Sequence, residues 1–110
     1  MIPTEEQEQI LFIKWLSAKK LYYWHTPNST YTRSWNQKRK NQAMGVQSGI
    51  PDLFVIVDNK VVGVEMKRTK GGVVSANQKK WIEILNNAGI STRICKGHKE
   101  AIKFIKESMK

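Results

Sequence analysis

The sequence lacks the features of a disulfide-stabilised, zinc-binding or membrane-spanning protein. Cys95 is the only cysteine among 110 residues, which excludes an intrachain disulfide and a cysteine-rich zinc site and suits a reducing compartment. No apolar stretch approaches the roughly 18 residues of a transmembrane helix, and the N-terminal MIPTEEQEQ is too polar for a signal peptide. We therefore expect a cytoplasmic protein without membrane contact, in which Cys95 occupies a buried strand.

Acidic residues are also scarce. Nine Asp and Glu stand against 19 Lys and Arg, which gives a formal net charge of +10. Such an excess favours a polyanionic partner, although a merely soluble basic protein would have the same composition. Position favours the partner, because many cations flank the segment 49–68. Those before it are Arg33, Lys38, Arg39 and Lys40, and those at its end are Lys67, Arg68 and Lys70.

The length suits one domain, residues 1–110, with a single core. Periodicity and turn residues predict helices at about 5–19, 36–43, 75–88 and 98–109, and strands at about 21–26, 53–57, 61–67 and 90–95. The order α-β-(α)-β-β-α-β-α predicts an α/β fold, a mixed sheet flanked by helices. The residues expected to face the sheet from the first helix are Ile10, Leu11, Ile13, Trp15 and Leu16.

The predicted hairpin GIPDLFVIVDNKVVGVEMKR carries two acids and a base on otherwise apolar strands. If it turns through Asp58-Asn59 as a type I′ turn, Val57 pairs with Lys60 and Asp52 lies opposite Glu65. A four-residue loop gives the same register, whereas a three-residue loop would put the two acids on opposite faces. Like charges directly opposed across two strands destabilise the sheet, so a positive group is expected between them.

Lys67 is expected on the same face as Glu65, because side chains two residues apart share a face of a strand. Two carboxylates at this separation also suit Mg²⁺ or Mn²⁺. Such a cation beside a lysine could hydrolyse a phosphodiester, since it polarises the phosphate and activates water while the lysine orients that water or stabilises the phosphoryl oxygens. In the alternative interpretation Asp52 only begins a strand, and Glu65 and Lys67 form a surface ion pair.

Pro51-Asp52 followed by Glu65-Met66-Lys67 resembles the PD-(D/E)XK signature of nucleases with the restriction-endonuclease-like fold. The resemblance extends to the VRR-NUC domain, which occurs alone in phages and bacteria and within larger repair nucleases. The blocks that carry it are HTPN (25–28), GVQSGIPDLF (45–54), GVEMKR (63–68), GGVVSANQKKW (71–81) and GHKEAIKFI (97–105), and they span nearly the whole chain.

The resemblance implies that Asp52, Glu65 and the Met66 carbonyl bind the metal and that Lys67 is catalytic. It also implies an acid on the first helix near the metal, for which Glu5 fits best while Glu6 and Glu8 remain alternatives. Gln78 resembles a glutamine of the family site. Ser75-Ala76-Asn77-Gln78 is also a helix capping box, so Gln78 has two alternative roles.

Other side chains are expected to have simpler roles. His25 and His98 have no metal-ligand spacing and are interpreted as a strand-end and a helix-start residue. Asn28 lies in a family block and is a candidate DNA contact. The tryptophans expected in the core are Trp15, Trp24 and Trp81, whereas Trp35, between Arg33 and Lys38, could stack on an unpaired base.

Together these features predict a Mg²⁺- or Mn²⁺-dependent DNA endonuclease. The resemblance to Holliday-junction resolvases implies branched DNA as the substrate and a homodimer that presents two active sites. The alternative from another class is a non-catalytic nucleic-acid-binding module that uses the same fold.

Overall fold

A computed structural model describes residues 1–26 and 34–109. The helices are α1 (Glu5–Ala18), α2 (Trp35–Ala43), α3 (Ala76–Asn87) and α4 (His98–Ser108), and the strands are β1 (Tyr23–His25), β2 (Leu53–Val57), β3 (Lys60–Lys67) and β4 (Thr92–Lys96). The predicted order of elements is confirmed. The first predicted strand is shorter than expected, and the last is shifted by one to two residues.

The strands form one mixed sheet in the order β1-β2-β3-β4. Strand β2 is antiparallel to both β1 and β3. Strand β4 is parallel to β3, because the intervening α3 returns the chain to the same end of the sheet. The predicted mixed α/β fold is thus confirmed.

One face of the sheet forms the core with α1 and α4. The buried strand residues alternate, as for a sheet covered on that face, and include Leu53, Val55, Val57, Val62, Val64, Met66 and Cys95. Phe12 and Leu16 of α1 and Phe104 and Ile105 of α4 pack against them. Burial of Cys95 is as predicted. In the described ranges no helix is long and apolar enough to cross a membrane.

The face predicted for α1 is only partly right. The buried side chains are Glu8, Phe12 and Leu16, one helical turn apart, whereas Ile10 and Leu11 are 48% and 41% exposed. The buried face of α1 begins with an acidic residue, Glu8. The spacing of the apolar residues alone therefore predicted a neighbouring face of the helix. Glu8 can be buried because α4 supplies it with hydrogen-bond donors, which a helical pattern does not reveal.

The prediction for Trp24 is wrong. Its side chain is 46% exposed and stacks on Phe54 with ring centroids 5.1 Å apart. Tyr23 packs against the core, so the alternation of the strand turns Trp24 to the opposite face of the sheet. Trp15 packs against the core as expected, and Trp81 is half-buried.

Candidate active site

The β2–β3 hairpin places the two acids opposite each other. Asp58 and Asn59 have φ angles of 50° and 66°, as a type I′ turn requires. The ladder runs from Val57 opposite Lys60 to Leu53 opposite Val64. The next pair in this register is Asp52 and Glu65, so the predicted register is confirmed.

Asp52 accepts the Met66 N–H through its side chain. By the same register Met66 stands opposite Pro51, which has no N–H to donate to the Met66 carbonyl. The Met66 N–H donates to Asp52 Oδ2, at 3.0 Å. Because the N–H and C=O of a hydrogen-bonded strand residue point to the same side, the Met66 carbonyl is directed to the edge where the Asp52 carboxylate lies.

The Asp52 carbonyl anchors β1 beside this site. It accepts hydrogen bonds from the Thr26 N–H, at 2.7 Å, and from His25 Nδ1, at 2.9 Å. The second bond requires a proton on Nδ1, because a carbonyl oxygen only accepts. His25 therefore closes the end of the strand, as predicted from its position.

Glu65 is fully buried and only partly satisfied. Its Oε2 atom accepts from Gln78 Nε2 at 3.3 Å and lies 3.8 Å from Lys67 Nζ. Its Oε1 atom is buried with no hydrogen-bond partner among the described residues. The pKa of Glu65 is raised to about 9, mainly by burial. The nearby Asp52 charge and a hydrogen bond to Asp52 add to this effect. An acid in this state lacks a cationic partner strong enough to hold it ionised.

Lys67 supplies the positive group that the opposed acids were expected to need. It lies on the Glu65 face and is only 6% exposed. Its main chain is fixed at the same point, because the Gly97 N–H donates to the Lys67 carbonyl at 2.8 Å. The Lys67 ammonium thus lies beside the acids on a strand that is paired with both β2 and β4.

Gln78 caps α3 and also contacts Glu65. Its Oε1 accepts from the Ser75 N–H at 2.9 Å, while Ser75 Oγ accepts from the Gln78 N–H at 3.1 Å. This is the predicted capping box of α3. The other end of the same amide, Nε2, donates to Glu65, so the cap also fixes the direction of a hydrogen bond into the site.

Of the three acids considered on α1, Glu5 reaches the hairpin. One carboxylate oxygen from each of Glu5, Asp52 and Glu65 lies within 4.8 Å of the others. Burial raises the pKa of Glu5, and the neighbouring Asp52 adds to the effect while Lys67 opposes it. Glu6 is exposed, and Glu8 is engaged elsewhere.

Glu8 holds α1 to the start of α4. Its Oε1 atom accepts from the His98 backbone N–H at 3.1 Å and contacts His98 Nδ1 at 2.5 Å. Burial acts to raise the pKa of Glu8, but these bonds and the His98 charge outweigh it and leave that pKa below its usual value. Sequence reasoning assigned His98 to the helix start and missed this pair, which joins residues 90 positions apart.

The acids and the carbonyl fit a hard divalent cation. Carboxylate and backbone oxygens are the ligands that Mg²⁺ and Mn²⁺ prefer. The unpartnered Glu65 Oε1 is the observation that favours this fit, because buried polar atoms otherwise have partners. Three acids beside one lysine also leave negative charge that a cation would neutralise.

The predicted nucleic-acid contacts lie in two places. Lys38, Arg39 and Lys40 are exposed on α2, which buries none of its side chains. Arg68 and Lys70 are exposed directly after β3. Asn28 and Arg33 lie outside the described residues.

The comparisons with known proteins agree with this architecture. A solved structure described as a VRR_NUC domain protein superimposes with a TM-score of 0.80, covering 96% of this chain and 88% of that chain. At 24% sequence identity the likeness shows the fold. No curated protein matches the chain. The family model of the VRR-NUC domain, a nuclease-type domain, matches residues 3–99, and the chain therefore belongs to the VRR-NUC domain family.

Proposed function

We propose that the protein is a Mg²⁺- or Mn²⁺-dependent DNA endonuclease. The observation that carries the proposal is the cluster in which the partly buried Glu5 approaches the buried Asp52 and Glu65 beside Lys67. One Glu65 oxygen has no hydrogen-bond partner within residues 1–26 and 34–109. Opposed buried acids destabilise a fold unless a ligand uses them. A platform that only bound nucleic acid would have no need of them.

In this proposal Asp52, Glu65 and the Met66 carbonyl bind the cation, and Glu5 is a further acid within reach. When bound, the cation polarises the phosphodiester and lowers the pKa of an attacking water. Asp52 keeps its bond to the Met66 N–H, which fixes the carboxylate relative to the carbonyl of the same residue. The hairpin thereby sets the positions of three oxygen donors before any ligand arrives.

Lys67 and Gln78 complete the proposed active site. Lys67 Nζ, near Glu65, can orient the water or stabilise charge that builds on the phosphoryl oxygens. Gln78 holds Glu65 Oε2, so the other oxygen remains free for the cation. Because Lys67 is buried, its ammonium is already desolvated and ordered, which increases the electrostatic stabilisation it can give.

DNA is the proposed partner, and the exposed basic residues are its proposed contacts. They are Lys38, Arg39, Lys40, Arg68 and Lys70, with Asn28 and Arg33 added from the sequence. A chain with a formal net charge of +10 attracts a polyanion through phosphate contacts. The family match to a nuclease-type domain agrees with this partner.

We extend the proposal to branched DNA as the substrate and to a homodimer as the oligomeric state. Exposed apolar side chains lie on the same sheet face as Glu65, namely Tyr22, Trp24 and Ile56, which are 80%, 46% and 38% exposed. Such a patch is suited to burial against a second copy, and a two-fold dimer would present two sites to paired strands. Light scattering should give the mass of a dimer that Trp24→Ser reduces, and a monomer that cleaves junctions fully would contradict this extension.

The test of the activity is cleavage of supercoiled plasmid and of a four-way junction with Mg²⁺, Mn²⁺ or EDTA. Asp52→Asn and Lys67→Ala should each lower the rate by at least about 100-fold, and EDTA should abolish it. An amide at position 52 can still accept from the Met66 N–H, so the fold should be preserved. Glu107→Gln, which breaks the exposed ion pair with Arg93, is the control and should cleave normally. DNA binding without cleavage in either metal would instead support the non-catalytic module.

A further inference from the structure

A polar groove lies between α2 and the segment that leads to β2. It has a volume of about 430 Å³ and is lined by Lys38, Asn41, Gln42, Val46, Gln47 and Ser48. Three of these side chains are amides, which offer both donors and acceptors, and one is a cation. This composition matches the hydrogen-bonding edge of a nucleobase and a phosphate better than it matches an apolar ligand.

An aromatic ring adjoins the groove. Lys38, Asn41 and Gln42 have the spacing of one helix face, and Trp35 stands one turn before Lys38 on that face. The Trp35 side chain is 74% exposed, and Lys38 Nζ lies 5.0 Å from its ring centroid. Helix α2 carries three basic residues and no acid, so its own side chains do not neutralise the positive charge.

The groove is fixed relative to the acids. Ser48 Oγ accepts from Asn77 Nδ2 at 2.7 Å, and Asn77 directly precedes Gln78, which contacts Glu65. Gly49 packs so closely that a Cβ there would lie 2.7 Å from the Asn77 backbone, and its φ is +88°. Only glycine fits this approach. The segment that lines the groove continues within a few residues to Asp52.

We propose that this groove, together with Trp35, binds one unpaired nucleotide of the DNA substrate close to the cleaved phosphodiester. The indole stacks on the base, the amides of Asn41, Gln42 and Gln47 bond its edge, and Lys38 contacts a phosphate. A base within a continuous duplex has both faces stacked and cannot take this place. The proposal rests on the proposed function for its substrate class, but it concerns binding and needs no cleavage.

The experiment is fluorescence anisotropy in EDTA with labelled DNA. The two probes are a duplex with a single-stranded arm and a fully paired duplex of the same length. Trp35→Ala should weaken binding to the arm-bearing DNA by about 5-fold to 150-fold, the range for losing one stacked base. Binding to the paired duplex should change little. Trp35→Phe should recover most of the affinity, because a phenyl ring also stacks.

Two further variants separate base recognition from charge. The double variant Asn41→Ala, Gln42→Ala should reduce the preference for the arm-bearing DNA while leaving binding to the paired duplex. Lys103→Ala, an exposed cation on α4, is the charge control and should weaken both probes slightly and equally.

Equal loss on both probes, no loss on either, or failure of Trp35→Phe to recover affinity would overturn the proposal. So would a Trp35→Ala variant that dissociates a dimer, because Trp35 would then belong to a contact between copies. Melting curves should show that Trp35→Ala folds as stably as the wild type, since the side chain is exposed. If the wild type binds the arm-bearing DNA as described but never cleaves it, the proposed activity fails while this subsite stands.

Discussion

Two buried glutamates, Glu8 and Glu65, have opposite electrostatic states although each lies beside a basic residue. Glu8 is 2% exposed, accepts hydrogen bonds from His98, and has a lowered pKa. Glu65 is fully buried and faces Asp52, and its pKa is raised to about 9. One of its oxygens has no hydrogen-bond partner in the part of the chain that the structure describes. Burial alone therefore does not distinguish a structural acid from a functional one. The distinction lies in whether the surrounding fold satisfies the carboxylate.

The difference has an energetic consequence. The bonds from His98 join α1 to the start of α4, so the Glu8 charge helps to hold the fold. An ionised Glu65 would oppose the fold, because its charge would be desolvated and faced by a like charge, so without metal the folded protein keeps a proton on this carboxyl. Substitutions at the two positions should therefore act in opposite directions on the protein without metal.

The largest effect on stability is expected at Glu8. Replacing it with Ala leaves the two His98 donors without their acceptor, one of them on a side chain that is 27% exposed, and should lower the free energy of unfolding by about 3 kcal/mol, the upper range for hydrogen bonds to a charged group. Urea denaturation measures this change. Glu107→Ala is the matched control, because it removes an ion pair whose side chains are about half exposed, and it should cost at most about 1 kcal/mol. Equal losses for the two variants would mean that the Glu8–His98 pair contributes no more to stability than an exposed ion pair.

A second effect is expected of pH on metal binding. A pKa of about 9 means that Glu65 is protonated near neutral pH in the absence of metal, and a cation must displace that proton. Affinity for Mg²⁺ should rise with pH by up to about tenfold per unit below pH 9 and then level off. Calorimetry in buffers of different ionisation enthalpy would measure the proton released. Affinity independent of pH from 6 to 9 would mean that Glu65 is not a ligand.

The raised pKa of Glu65 also determines how the stability of the metal-free protein changes with pH. The folded protein holds a proton on Glu65 that the unfolded chain has lost above its ordinary value of 4.5. The native state thus binds more protons between that value and about 9, and the contribution of Glu65 to stability falls as pH rises through this range.

The smallest effect separates the two roles of Gln78. Ser75→Ala removes only the cap of α3, whereas Gln78→Ala removes the reciprocal capping bond and the hydrogen bond to Glu65. Both should lower stability by about 1 kcal/mol. Only Gln78→Ala should change the Mg²⁺ concentration at half-maximal cleavage. An equal response from Ser75→Ala would assign Gln78 to capping alone.

The sequence predicted those parts of the molecule that depend on local rules. A two-residue turn through Asp58-Asn59 determined the register of the hairpin, and with it the approach of Asp52 and Glu65. Side-chain alternation placed Lys67 on the Glu65 face, and the capping box predicted the start of α3. These features follow from residues close together in the chain.

Features that depend on distant residues could not be predicted. The buried face of α1 begins with Glu8, whose burial requires His98 on the last helix. The exposure of Trp24 depends on which face of β1 meets the core. Glu5 was expected near the metal from the family resemblance, with Glu6 and Glu8 as alternatives, because its approach depends on how the start of α1 packs against the hairpin. Hydrophobic periodicity contains none of this information.

The most direct test of the metal site is thermal melting of wild type and Glu65→Gln at pH 8, in EDTA and in excess Mg²⁺. In EDTA the variant should melt at or above the wild type, because glutamine is neutral without the proton that Glu65 must take up on folding at this pH. Mg²⁺ at 100 times its dissociation constant should stabilise the wild type by about 2.7 kcal/mol and the variant little, which reverses their order. Glu8→Gln, the control, should melt lower in both buffers and keep the Mg²⁺ shift. The account would be contradicted if Mg²⁺ left the melting temperature of the wild type unchanged, or if it raised that of Glu65→Gln as much as that of the wild type.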